Sequence, residues 1–344
     1  MKQPLHIEIV RSMRPEFSSM GTKSCAMIET LLKQHYSRVG ITIINSPREL
    51  KGLVAKKPDL VFLGMKNISL ELDGGPIWLS EYLDKNGITY TGSNVTAIKL
   101  DFDKPSAKLV VSAAGLDTAG HFVTKPNQYS HIDTLPLSYP LFIKPPSMGG
   151  GGGVGADSVV RTFLEFTQKV QNIADSFNSH SLVESYLPGR EFSVAILESV
   201  EGATLIMPIE VITEANAAGD RILGAKIKDD DNEQIVTIND PLLRRLITNL
   251  AAKVFKALGA RDYGRIDIRL DEHGVPHFLE ANLIPGLAQH DFTSYFTSAC
   301  HMNESMDYDA MILHIVRLGE ARAIRKTNTF LSQAESTKAH NFTL

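Results

Sequence analysis

Gly264-Arg265-Ile266-Asp267-Ile268-Arg269-Leu270 and, after the turn Asp271-Glu272-His273-Gly274-Val275, Pro276-His277-Phe278-Leu279-Glu280-Ala281-Asn282 decide how the chain is read. Both flanks alternate as strands do, with successive side chains on opposite faces. Arg265, Asp267 and Arg269 share one face of the first strand. Phe278, Glu280 and Asn282 share one face of the second. An even number of residues in the hairpin loop sets Asp267 opposite Glu280 and Arg265 opposite Asn282. One face then carries two carboxylates, an amide and an arginine. Oxygen ligands grouped in this way suit a hard dication such as Mg²⁺, which takes one or two carboxylates together with phosphate oxygens and water. The same pattern fits a solvated sheet face laced with salt bridges. The next segment, Leu283-Ile284-Pro285-Gly286, favours a site, because a strand ending in Pro-Gly can present the Gly286 N–H to the cluster as a donor for a developing oxyanion.

Upstream, residues 142–155 contain five consecutive glycines, Gly149 to Gly153. A Walker-type phosphate loop needs a lysine directly after the glycines, and none follows; the dinucleotide fingerprint needs a helix at once. A domain linker is disfavoured because the run directly follows a strand ending in Lys144. A strand-loop-strand flap fits best: glycine lets successive backbone N–H groups fold over an anion, and Lys144 supplies a cation. A floppy surface loop is the alternative. Further on, Leu182-Val183-Glu184-Ser185-Tyr186-Leu187-Pro188-Gly189-Arg190-Glu191 turns between two strands at Pro188-Gly189 and implies a hinge. Its backbone amides could meet a base edge, and Glu191 could accept from ribose hydroxyls, although carboxylates beside turns are commonly just solvated.

Around these stretches the chain alternates strand and helix. Residues 5–10, 41–44, 59–64 and 88–92 read as strands with amphipathic helices between them, which implies a parallel sheet covered by helices. A smaller α+β unit follows, with a helix at 105–114, strands at 139–144 and 181–186, and a helix near 162–175. The third region has strands near 192–197 and 205–211. Its clearest helix has Asp240 as N-cap, Pro241 at the first position, an apolar stripe from Leu243 to Leu258 and Gly259 as stop. A last helix is expected at about 306–323, then a polar tail. The expected division is 1–102, 103–187, 188–323 and a tail at 324–344. With 344 residues, 43% hydrophobic and 22% charged, the chain is long enough for two or three domains and is not of disordered composition. A net charge of -4 offers no basic surplus for nucleic acid. No apolar run is long enough to span a membrane, and no leader pattern opens the chain, so a cytoplasmic protein is expected. Cys25 and Cys300 are expected to be small buried hydrophobes.

Taken together, Lys104 in Asp103-Lys104-Pro105-Ser106-Ala107-Lys108, Lys144, the glycine flap, Glu184 with Glu191, Arg265 and Asp267, Glu280 and Asn282, and Pro285-Gly286 resemble the ATP-grasp superfamily. Leu72-Asp73-Gly74-Gly75 and Tyr90-Thr91-Gly92-Ser93 make the chain similar to the D-alanine–D-alanine ligase family over roughly residues 5–322. The resemblance implies an α/β, three-part ATP-grasp fold: a Rossmann-like parallel-sheet domain, a small central ATP-lid unit and a C-terminal catalytic unit. It implies a ligase in which ATP phosphorylates one amino acid's carboxylate and a second amine attacks the acyl phosphate. Lys104, Lys144 and the amides of Gly150, Gly151 and Gly152 would then hold ATP phosphates. Ser185 and Leu187 would offer backbone groups to adenine, Glu184 would face its amino group, and Glu191 would bind ribose. Asp267, Glu280 and Asn282 would bind two Mg²⁺ ions, with Mn²⁺ as a substitute. Arg265 and Gly286 would stabilise the tetrahedral intermediate, and Lys226 would contact the transferred phosphoryl group. A homodimer acting on amino acids as small-molecule substrates, without nucleic acid or membrane, is also expected.

Departures from the family pattern fall on the amino-acid side. Gly152 and Gly153 stand where the ligases carry a serine pair, and Ile227 where they carry a tyrosine. Glu16 is the candidate for binding the first amino group. Asp291 aligns with a serine that holds the second carboxylate, which a carboxylate would repel. Gly64-Met65-Lys66-Asn67 replaces a segment that opens with histidine. The expectation is therefore standard ATP chemistry on substrates other than two D-alanines, such as an amino acid and a mycosporine precursor. An ATP-binding protein without catalysis and an ATP-grasp enzyme with another acceptor are the alternatives.

Overall fold

The computed structural model describes the whole chain except residues 1, 15–17, 69–74, 231, 290–293 and 342–344, and the side chains of 228, 229 and 325–341. Glu16, Asp291 and the stretch 72–74 lie outside the described residues. The first sheet is built from β1 (Gln3–Arg11), β2 (Tyr36–Ile43), β3 (Leu60–Leu63) and, after the short ladder of β4 (Asn67–Ile68) with β5 (Ile77–Trp78), β6 (Thr89–Tyr90). Its order is β2-β1-β3-β6 and its pairs are parallel. Helices α1 (Thr22–His35), α2 (Pro47–Ala55) and α3 (Leu79–Lys85) connect these strands. Buried β3 reads Leu60-Val61-Phe62-Leu63, an unbroken apolar run of the kind a parallel strand covered on both faces requires.

Helices α4 (Val95–Phe102) and α5 (Lys104–Ala113) lead into the second sheet. It has β7 (His121–Thr124), β8 (Leu141–Lys144), β9 (Val159–Val160) and, after α6 (Phe163–Phe177), β10 (Ser181–Ser185), in the order β7-β10-β8-β9. Thr162 caps α6 in a reciprocal capping box with Glu165. The helix packs Phe166, Val170 and Ile173 onto Leu141, Ile143 and Val183, a core of its own.

The third sheet, β13-β12-β11-β14-β15, is antiparallel throughout. It comprises β11 (Glu191–Leu197), β12 (Leu205–Ile212), then beyond the short α7 (Ala225–Asp229) β13 (Gln234–Thr237), and after α8 (Pro241–Ala257) β14 (Tyr263–Leu270) and β15 (Pro276–Asn282). Asp240 caps α8 as the sequence suggests, accepting from the N–H groups of Leu242 and Leu243, and Gly259 beyond its end takes φ +66°. Helices α9 (Tyr295–Glu304) and α10 (Tyr308–Asn341) complete the chain. Within the expected tail at 324–344 the backbone stays helical to Asn341, and no glycine or proline follows Gly319 to stop it.

The first and third sheets share an apolar core in which Val61, Leu63 and Tyr90 join Ile266, Ile268 and Phe278. The Tyr90-Thr91-Gly92-Ser93 stretch is a joint between them. Asp262 accepts the Gly92 N–H at 2.7 Å, Arg261 Nε donates to Gly92 O at 2.9 Å, and Arg322 of α10 pairs with Asp262.

The glycine run is the turn of the β8–β9 hairpin, with Leu141 paired to Val160 and Phe142 to Val159. Two turns follow one another in it, Gly152 N–H to Gly149 O and Val154 N–H to Gly151 O. At Gly153 φ is +74°, and a Cβ there would lie 2.5 Å from Pro145 Cγ. At Gly152 a Cβ would meet only the movable end of Met148 at 3.0 Å and Gly149 O at 3.3 Å. We expect Gly153→Ser to lose roughly 1–3 kcal/mol from left-handed strain and overpacking, seen as a lowered thermal midpoint. Gly152→Ser should stay close to wild type. Equal midpoints for the two variants would contradict this account of the turn.

Candidate functional site

Lys108 of α5, Lys144 of β8 and Glu184 of β10 meet below the flap. Glu184 is 2% exposed and its two oxygens lie 2.5 Å from Lys108 Nζ and 2.8 Å from Lys144 Nζ. Burial pushes this carboxyl up, but the ammonium groups of Lys108 and Lys144 outweigh it and hold it down at about 2. Burial likewise pulls Lys144 down, and Glu184 with Glu280 more than reverses that. Lys104, at the start of α5, reaches Met148 O at 2.5 Å and Glu280 at 3.6 Å. Burial lowers its pKa, only partly offset by Glu280.

The hairpin brings together what its alternation promised, by a different route. Asp267 pairs with Glu280 and Arg265 with Asn282, although the five loop residues between paired Leu270 and Pro276 are an odd number. A bulge supplies the missing residue: Asp267 faces Glu280 and Ile268 faces Phe278, so Leu279 is extra. The expectation that Phe278 shares the site face is thereby corrected. Phe278 is fully buried in the core opposite Ile268, and Leu279 lines the cavity in its stead.

Asp267 is held from several sides. Its Oδ1 accepts from Ser193 Oγ at 2.7 Å and Arg265 Nε at 2.9 Å; its Oδ2 accepts from Arg265 at 2.9 Å and Asn282 Nδ2 at 3.2 Å. The Arg265 guanidinium lies 5.3 Å from the Tyr295 ring centre, and Tyr295 donates its hydroxyl to Glu233. Glu191 pairs with Arg269 at 3.0 Å, and Arg269 also donates to Arg221 O at 2.6 Å.

Two cavities open onto these groups. One is lined by Lys144, Glu184, Leu187, Glu191, Asp267 and Glu280, under Gly151 of the flap. Ser185 also lines it, but its N–H is spent on Gly120 O at 2.9 Å, so only Leu187 keeps an amide beyond the strand end for a base edge. The second is lined by Lys66, Lys104, Gly150, Glu280 and Gly286. Glu280 belongs to both. Gly152 sits in the flap turn between them. Lys226 is exposed on α7, next to a close approach of flap and α7, where a Cβ on Gly151 would lie 2.8 Å from Ala225 N.

The donor set suits a hard dication. Asp267, Glu280 and Asn282 are adjacent oxygen donors, while no group of three or more His, Cys, Asp or Glu side chains gathers among the described residues. A metal here would have to complete its shell with phosphate and water, which is how Mg²⁺ is commonly held. Cys25 and Cys300 are buried, and burial pushes their thiols up to about 11 and about 12, so neither is a nucleophile.

Lys108 and Arg269 are the functional-site residues that reading the sequence missed. Lys108 follows Lys104 by four residues on one helix face that also carries Ala107 and Val111, a charged residue within an apolar stripe. Arg269 stood on the face of Arg265 and Asp267 but was given no role.

Glu184→Gln should cost about 3–5 kcal/mol in unfolding free energy, since it strands two buried ammonium groups. Lys108→Met should cost less, because Glu184 keeps Lys144. Because the folded Glu184 value of about 2 lies below its ordinary 4.5, its stabilisation is whole above about pH 4.5 and is lost as pH falls towards 2. Chemical denaturation of both variants across that range checks the order; a costlier Lys108→Met would contradict it.

Comparison with known proteins agrees with this geometry. The family model described as D-ala D-ala ligase C-terminus matches residues 110–317. The D-alanine–D-alanine ligase of Hydrogenovibrio crunogenus is 27% identical over 77% of this chain and 79% of its own. That of Chromohalobacter salexigens is 29% identical over 78% and 79%. In fold, the chain matches the crystal structure of the Bacillus anthracis D-alanine–D-alanine ligase complexed with ATP, with a TM-score of 0.69, 20% identity, and coverage of 94% of this chain and 99% of that one. No helix among the described residues is long and apolar enough to cross a membrane. With the matched model spanning more than half of its length, the chain belongs to the D-alanine–D-alanine ligase family and has the ATP-grasp fold.

Proposed function

We propose that the protein joins a carboxylate to an amine through an acyl phosphate, consuming ATP and releasing ADP and phosphate, on substrates other than two D-alanines. The observation that carries this reading is that both cavities reach Glu280. A nucleotide in the first would bring its terminal phosphate to the residue that a carboxylate substrate meets in the second. Lys144 and Lys104 stand at that junction, and burial leaves Lys104 short of counter-charge, which phosphate oxygens would supply. Glu191, fixed by Arg269, is the acceptor for ribose hydroxyls. Asp267, Glu280 and Asn282 would hold Mg²⁺, or Mn²⁺ in its place, which neutralises phosphate charge and favours in-line transfer. Arg265 and the Gly286 N–H provide positive character for the oxyanion of the tetrahedral intermediate. Lys226 would reach the transferred group from the α7 side.

The altered substrate is supported by the flap. Gly152 and Gly153 stand in place of a serine pair, and the backbone at Gly153 is shaped against any side chain. Amino acids as small-molecule substrates, no nucleic-acid or membrane partner, and a homodimer belong to the same proposal. Purified protein with ATP and Mg²⁺ should release ADP only with its proper substrate pair. Glu280→Ala should reduce that release on the order of a hundredfold, as loss of a metal ligand does. Efficient synthesis of D-alanyl-D-alanine would overturn the substrate claim. ADP formation that ignores added amino acids would overturn the ligase claim.

A further inference from the structure

The amino-acid cavity contains a cation to which the ligase chemistry gives no task. Lys66 follows β3 in Gly64-Met65-Lys66-Asn67, and its Nζ lies 2.7 Å from Asp101 Oδ1. Its backbone is fixed, since Leu79 N–H donates to Lys66 O at 3.0 Å and Asn67 opens the β4–β5 ladder. Asp101, near the end of α4, has a side chain only 3% exposed, and its second oxygen accepts the Leu283 N–H at 2.7 Å. Both carboxylate oxygens are therefore occupied, so Asp101 is poorly placed to take a ligand's ammonium group. Lys66 differs. An ammonium has three donors, Asp101 takes one, and 24% of the side chain remains open where it lines the cavity. Lys104 lines the same cavity and feels the Lys66 charge; the carboxylates of Asp101 and Glu280 line it too, so what remains for a ligand is the unfilled donor capacity of Lys66, with Asn67 and Ser147 as neutral neighbours.

The position of Lys66 separates it from the reacting end of a substrate. Glu280 and Gly286 belong to β15 and the segment after it, whereas Lys66 projects from the end of the parallel sheet. A substrate lying between them meets the reacting groups with one end and Lys66 with another. A purely structural Lys66–Asp101 pair would be indifferent to that second end; a recognition lysine would not.

We propose, resting on the ligase reading above, that Lys66 held by Asp101 is a specificity residue for a second carboxylate, and that one of the two substrates is therefore a dicarboxylic amino acid. Recognition is by charge: one ammonium donor goes to Asp101, and the remaining donors bind the substrate's distal carboxylate. An amide of the same shape loses the ionic part of that contact.

The test measures ADP release with saturating ATP and Mg²⁺. Aspartate and glutamate of both chiralities, their amides asparagine and glutamine, and alanine are offered singly and in all pairs. Wild type, Lys66→Gln, which keeps a donor for Asp101, and Lys66→Arg, which keeps the charge, are compared. For wild type the expected KM of the acidic substrate is at least about tenfold below that of its amide. Lys66→Gln should raise that KM by a similar factor and abolish the preference, with the KM for ATP and kcat within about threefold of wild type; Lys66→Arg should restore much of it. Turnover that does not distinguish acid from amide, or a Lys66→Gln variant altered only in thermal stability, overturns this proposal and leaves the ligase reading standing. No ADP release with any of these pairs overturns this proposal, whereas the ligase reading falls only if ADP forms regardless of added amino acids.

Discussion

A carboxylate taken out of water keeps its charge only where cations share it, and Glu184 is the case on which the site depends. Lys108 arrives from α5, Lys144 from β8 and Glu184 from β10, so one buried carboxylate ties together three elements at the first cavity. Desolvation of three charges costs several kcal/mol per ion, and close ion-pair geometry has to offset it. The consequence is placement: Lys144 is held by Glu184 at the cavity wall. The same economy recurs in Lys104 with Glu280, Arg265 with Asp267 and Arg269 with Glu191. Each cation leans on a carboxylate, although Lys108 and Lys144 share one and Lys104 is only partly neutralised, so an entering polyanion meets groups already in position.

Much of this was legible in the sequence, for definite reasons. Period-two alternation fixed which side chains of β14 share a face, and the pairing of Asp267 with Glu280 followed. The bulge at Leu279 did not follow, because one inserted apolar residue beside Phe278 leaves no local signature until the strand is paired. Asp240, Pro241 and Gly259 announced α8 through capping chemistry that acts within a few residues. Lys108 was hidden for the opposite reason. Its partner is 76 positions away by subtraction of 108 from 184, and a buried lysine looks like any other lysine until the strand that neutralises it is in place. The helical continuation of α10 was obscured by polar composition, which withholds an amphipathic stripe without withholding helix propensity.

The flap and the parallel sheet together set the character of the amino-acid side. Gly151 lies against the backbone of Gly224 and Ala225, so flap and α7 approach more closely than any side chain permits. Gly153 is bound to its conformation by Pro145. At Gly153 the backbone has settled into a conformation that excludes a side chain, whereas Gly152 leaves room for a small one. Across the cavity, half-buried Lys66 and buried Asp101 add a charge pair at the seam between the first and third sheets, where the Leu283 N–H completes it. Family membership agrees with the geometry of the first cavity, while the second has glycine on one side and an ammonium group on the other.

The central claim is that phosphate and carboxylate meet at Glu280 and form an acyl phosphate there. Its most direct test is the fate of carboxylate oxygen: the acid substrate identified by ADP release is labelled with ¹⁸O in its carboxyl groups, and the released phosphate is analysed by mass spectrometry. The account predicts ¹⁸O in the phosphate, since the bridging oxygen of the acyl phosphate leaves with it when the amine displaces it. Phosphate free of ¹⁸O, with product formed, would contradict it.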